Sequence, residues 1–224
     1  MTNLLIAASF WILSHFALSS TPLRAMLVKR FGEKKYLLIY SLIAISALAY
    51  FIWSYTQLGM SDQFWTSSMA TRWASFLLMP LAFIFIAGSF VTTNPTVVGQ
   101  GYKLKKIAAG AGMIRITRHP FQWGVFIWAL AHILANGDFG SLIFFGTFSI
   151  TSLIGTLLID RKKSAKGDDW KSFKNVTSNL PFWAIYQRTN HFKISELWLP
   201  ICLGLLAHGV LLWGHKYYSG VALF

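Results

Sequence analysis

Six apolar stretches, at residues 3–20, 36–56, 73–91, 121–136, 139–159 and 197–214, alternate with polar loops along this chain of 224 residues. This alternation constrains the fold more than any motif does. About 20 apolar residues in a row cross hydrocarbon only as helix, because the bilayer offers their backbone amides no other partner. A hydrophobic share of 55% against 12% charged leaves too little polar surface for a soluble domain. The expected fold is therefore all-α: a polytopic integral membrane protein of about six transmembrane helices, forming a single domain over residues 1–224. The fourth stretch is short, which calls for local bilayer thinning or burial among neighbours.

The basic residues test that count. Arg24, Lys29, Arg30, Lys34 and Lys35 lie in the first loop, and Lys103, Lys105, Lys106, Arg115 and Arg118 in the third. The fifth holds Arg161, Lys162, Lys163, Lys166, Lys171, Lys174, Arg188 and Lys193, so that 18 of 20 Lys and Arg occupy alternate loops. The positive-inside tendency puts those loops in the cytoplasm and both termini on the outer side, as in a multi-pass protein of a bacterial cytoplasmic membrane. A net charge of +13 would suggest nucleic acid for a soluble chain. Here the same charge suits anionic lipid headgroups of the bilayer, and no nucleic-acid partner is expected.

The first stretch lacks a basic start and an Ala-x-Ala-like exit and carries His15, so it is expected to stay as a span. Cys202 is the sole cysteine and excludes an intramolecular disulfide. Gly99, Gly101, Gly110 and Gly112 enrich the third loop in glycine, but no strand precedes them and no nucleotide-binding turn is expected.

Ionisable groups inside or beside spans are costly and mark function. Pro120 suits a first helical turn, Gly137 a helix end, and Asp138 the start of the next span. Arg118 and His119 then fall at the cytoplasmic headgroup level. There they either anchor the helix or, with its free amides, hold a phosphate or carboxylate. His132 is carried inward, about 18 Å from Pro120. His15 and His208 occupy the first and sixth spans at comparable depths. Neutral imidazoles on separate helices suit a bis-histidine haem, and equally suit hydrogen bonding between helices. Depth alone does not choose a pair. Trp123, Phe126, Trp128, Phe144, Phe145 and Phe148 offer either a wall for a flat apolar ligand or ordinary packing. Asp138 and Asp160, at opposite ends of the fifth span, are too far apart for one acid–base pair.

The run Thr117-Arg118-His119-Pro120, Trp123-Gly124, Trp128-Ala129-Leu130-Ala131-His132, Asn136-Gly137-Asp138 and Asp160-Arg161-Lys162 resembles the NnrU family of membrane proteins, which includes plastid zeta-carotene isomerases among its relatives. His15, Arg24, Gly32-Glu33 and Asn94-Pro95 extend the likeness over most of the chain. The resemblance implies b-type haem, with His15 and His132 as its metal ligands and His208 in reserve. It also implies a role either in nitrite and nitric oxide reduction, with a small nitrogen-oxide ligand, or in redox-controlled cis–trans isomerisation of a polyene. The electron donor stays open. Two other readings compete. Arg118-His119-Pro120 also resembles the S-adenosylmethionine-binding start of isoprenylcysteine and phospholipid methyltransferases, although Asp160-Arg161-Lys162-Lys163 stands where those have Glu-Glu. The other is a non-catalytic assembly factor in which every histidine is structural.

Overall fold

The computed structural model describes residues 1–59, 61–97, 110–165 and 167–220. Gly99, Gly101, Lys103, Lys105, Lys106 and Lys166 lie outside the described residues. Among those described, the structure is helical, with one isolated bridge between Gln63 and Asp138. The helices are α1 (Thr2–Ser20), α2 (Pro22–Phe31), α3 (Glu33–Thr56), α4 (Met69–Val91), α5 (Met113–Ile116), α6 (Pro120–Asn136), α7 (Phe139–Ser164), α8 (Asp168–Asn175), α9 (Trp183–Tyr186) and α10 (Trp198–Ser219).

Five of them, α1, α3, α4, α7 and α10, are long and apolar enough to cross a membrane. The protein is a multi-pass membrane protein. The fourth apolar stretch forms α6, whose 17 residues reach only about 26 Å.

Local sequence sets the ends. Ser68 caps α4 by accepting from Thr71 N while Thr71 bonds back to the Ser68 N–H, a reciprocal capping box. Pro120 opens α6, where a missing N–H costs nothing, and Gly137 closes it in the left-handed region at φ 74°. Any Cβ on Gly137 would sit 2.1 Å from the Trp65 carbonyl oxygen. Asp138 then caps α7 by accepting from Ser141 N. Pro80 lies inside α4, which continues through it.

Successive long helices run in opposite senses. The Tyr36 hydroxyl near the start of α3 donates to Leu18 O near the end of α1 (2.5 Å), and Ser75 near the start of α4 donates to Ala131 O near the end of α6 (2.7 Å). One end of the bundle thus gathers the end of α1 and the starts of α3, α6 and α10, and is rich in Lys and Arg. It is called the basic end here; the other is the far end. Packing contacts order the helices α3, α1, α7, α6, α4, α10, with α7 lying between α1 and α6. The main apolar core fills the first four of these with Leu4, Trp11, Phe51, Ala129, Phe144, Phe145 and Phe148. On the other side small residues let backbones approach: a Cβ on Gly124 would meet Ala82 O at 2.9 Å, and one on Gly204 would meet Ile84 Cα at 2.6 Å. Glycine is needed at both crossings.

Candidate functional site

At the basic end, Thr117, Arg118 and His119 lead into α6 and are buried within the protein, His119 being 0% exposed. The reason is covering structure that local sequence cannot show. The segment from Thr177 to Phe182 folds over them: Arg118 N donates to Ser178 O (2.8 Å), Phe182 N to Ile116 O (2.8 Å) and Thr117 Oγ1 to Asn179 O (2.5 Å). Trp123 Nε1 also donates to Asn179 O (2.8 Å), and Asn179 Nδ2 donates to Thr156 Oγ1 on α7 (2.8 Å).

Buried charge must be paired, and Asp160 pairs it. Arg118 places Nε 3.0 Å from both Asp160 oxygens and Nη2 2.5 Å from Oδ2, while Nη1 donates to Thr177 O at 3.0 Å. His119 Nε2 lies 2.7 Å from Asp160 Oδ1. Burial holds His119 below the ordinary imidazole range, against the opposing pull of Asp160. It is therefore a neutral ring donating through Nε2, and Nδ1 is left buried without a partner, as is Asn94 Nδ2 nearby. The side of the guanidinium that a carboxylate ligand would grip is already held by Asp160. A second clasp supports the loop: Glu196 accepts from Arg115 Nε (2.8 Å), Arg115 Nη2 (3.0 Å) and Gly112 N (2.6 Å). The Arg115 bonds hold the Glu196 carboxyl down at about 2.

The three histidines of the spans are dispersed. His15 Nδ1 bonds Trp11 O at 2.9 Å, and His132 Nδ1 bonds Trp128 O at 2.8 Å. Each ring is thus fixed through one nitrogen to the carbonyl a turn earlier, while Nε2 makes no hydrogen bond among the described residues. The two units also share a landmark. The Trp11 and Trp128 rings lie 5.0 and 5.5 Å from Phe148 of α7. Because α1 and α6 run oppositely, four residues onward carries His15 about 6 Å toward the basic end and His132 about 6 Å toward the far end.

Their Cα levels therefore differ by about 12 Å, though each ring folds back toward Phe148. His132 lies four residues from the end of α6. Its ring stacks on Phe145, centroids 4.5 Å apart, and His15 packs on Trp11 at 3.8 Å. His208 sits halfway along α10, against Phe76 and Phe83 of α4, remote from α1 in the helix order.

The donor set fits a haem in kind. A porphyrin iron asks the protein for one or two neutral imidazoles, each oriented by a hydrogen bond at its other nitrogen, and both His15 and His132 meet that description. Among the described residues no three His, Cys, Asp or Glu side chains cluster as an all-protein metal site would require. Sequence reasoning missed the pairing of Asp160 with Arg118 and His119, and the orienting Trp11. The signals were present: a carboxylate closing an apolar stretch needs a buried partner, and a Trp precedes both His15 and His132 by four residues.

Comparison with known proteins agrees with the family resemblance. The family model described as NnrU protein matches residues 3–223. The chain is 29% identical over 188 residues to the chloroplastic 15-cis-zeta-carotene isomerase of Arabidopsis thaliana, covering 77% of this chain and 47% of that protein. With the Zea mays protein of the same name it shares 30% over 171 residues, covering 69% and 43%. The chain thus spans less than half the length of the curated relatives it matches. No solved structure matches it.

Proposed function

The chain belongs to the NnrU family, and from that premise we propose that it is a haem-binding membrane protein acting on a polyene by cis–trans isomerisation. The single observation that supports this is the repeated unit of an imidazole held through Nδ1 by the carbonyl of a tryptophan one turn earlier, with Nε2 open, on two helices flanking α7. His15 and His132 would hold the iron, with His208 in reserve, and the Trp11 and Trp128 carbonyls fix the orientations of the first two rings. Bound haem would supply a redox-active iron centre for that chemistry. Phe144, Phe145 and Phe148 supply an apolar, water-excluding wall suited to a hydrocarbon chain. The basic loops face the cytoplasm and both termini face outward, in the cytoplasmic membrane of a bacterium.

The Arg118–His119–Asp160 group serves here as the rigid mount of α6 against α7. Its bonding favours the isomerase reading over a methyltransferase, since a ligand gripping that guanidinium would have to compete with Asp160. Detergent-purified protein is expected to show a Soret band of low-spin, bis-histidine character that shifts on reduction. His15→Ala and His132→Ala should each lose that character, with His208→Ala unchanged. A colourless preparation that stays colourless on reconstitution with haem sinks the proposal.

A further inference from the structure

The far end carries a cleft of about 660 Å3 lined by Tyr55, Leu58, Gly59, Ser61, Gln63, Asn136 and Asp138. Its volume is that of a small-ligand site. The bonding inside it is one-sided. The Ser61 hydroxyl donates to Asp138 Oδ1 (2.8 Å) and Ser141 N donates to the same oxygen (2.9 Å), while Asn136 Nδ2 donates to His132 O (2.8 Å). These N–H and O–H groups are thereby committed. The Ser141 side chain and the Asp138 N–H also support this carboxylate, which keeps acceptor capacity at Oδ2, and Asn136 Oδ1 accepts from no described residue.

The lining includes no Lys, Arg or His. Burial pulls the Asp138 carboxyl upward, but bonds from Ser141 and Ser61 outweigh it and hold the group below its ordinary value. The cleft therefore presents a fixed negative charge and open acceptors beside an aromatic ring. A ligand complementary to it brings positive charge and several donors.

We propose that this cleft binds a primary ammonium group, its N–H donors directed at Asp138 Oδ2 and Asn136 Oδ1. Such a group comes either as a free small amine or as the headgroup of an amine-bearing phospholipid in the adjoining leaflet. A quaternary ammonium carries the charge without the donors and binds poorly. A divalent metal ion alone finds too few oxygens here for its usual six or more.

Two variants test this without dismantling the fold. Asp138→Asn keeps a competent helix cap while removing the charge. Gly59→Leu adds bulk to the lining at a position that accepts a side chain: Gly59 has no positive φ, and a Cβ there meets nothing within 4 Å. Titration calorimetry of the full chain in detergent with ethanolamine should give saturable binding, about tenfold weaker or more with choline and in both variants. In nanodiscs, native mass spectrometry should show phosphatidylethanolamine retained over phosphatidylcholine by the parent chain and not by the variants. Ethanolamine binding without lipid retention assigns the free amine, and the converse assigns the headgroup. Neither signal, equal binding of choline, undiminished binding in both variants, or binding of calcium with ethanolamine inert overturns the proposal.

Discussion

His119 and His132 stand near the two ends of α6 and are treated oppositely. His119 is wholly enclosed and held by a carboxylate that also neutralises Arg118. His132 is only half-buried, tied to a neutral carbonyl of its own helix and stacked on Phe145. A histidine locked to a buried Asp–Arg pair is part of what holds the helices together. One fixed by a local carbonyl keeps its outer nitrogen for something else. The residue type is the same; the partner and the access divide the roles.

The sharpest way to break this contrast is Asp160→Ala. It strands Arg118 without a counter-charge and should cost about 3–5 kcal/mol, read as a large drop in melting temperature in detergent. Survival at the parental temperature would deny the mount its structural role. His119→Ala should cost about 2 kcal/mol or more, since it opens space and leaves Asp160 short of a donor. His132→Ala should cost only about 1 kcal/mol, the worth of its stacking. Equal losses at the two positions would erase the distinction.

Acid sharpens it further. His119 titrates lower in the fold than its unfolded value of 6.5. As pH falls below that value the unfolded chain takes up a proton that the folded chain refuses, so stability declines until the depressed folded value is passed. His119→Asn should flatten this part of a melting-temperature profile, and His119-dependent stabilisation toward acid would contradict the neutral ring. The smallest effect belongs to the partly exposed Glu196–Arg115 clasp. The Glu196 carboxyl lies at about 2 against an ordinary 4.5, so its contribution is complete above the ordinary value and fades as pH drops through that interval. Glu196→Gln should remove that slope, and an unchanged acid limb would show the clasp to be inert.

Much of this architecture could be read from residue order. The apolar stretches became α1, α3, α4, α6, α7 and α10, and Pro120, Gly137 and Asp138 mark their boundaries because proline, glycine and a capping aspartate act through local backbone geometry. The mount was not legible. Arg118 finds Asp160 and Thr177 at separations of 42 and 59 residues, and nothing local announces that Thr177 to Phe182 fold back over it. Histidine depth was only half legible: counting along one helix fixes a height on that helix alone, and relative heights required the contact of Trp11 and Trp128 with one shared phenylalanine.

That shared ring has a mechanical meaning. Phe148 rides on the same rod as Asp160, twelve residues or about 18 Å apart. Turning α7 by one residue would swing the anchor away from Arg118 and, in the same movement, withdraw the bearing on which both tryptophans rest. A disturbance at either margin of the bundle would thus reach both imidazoles together, through torsion of one shaft.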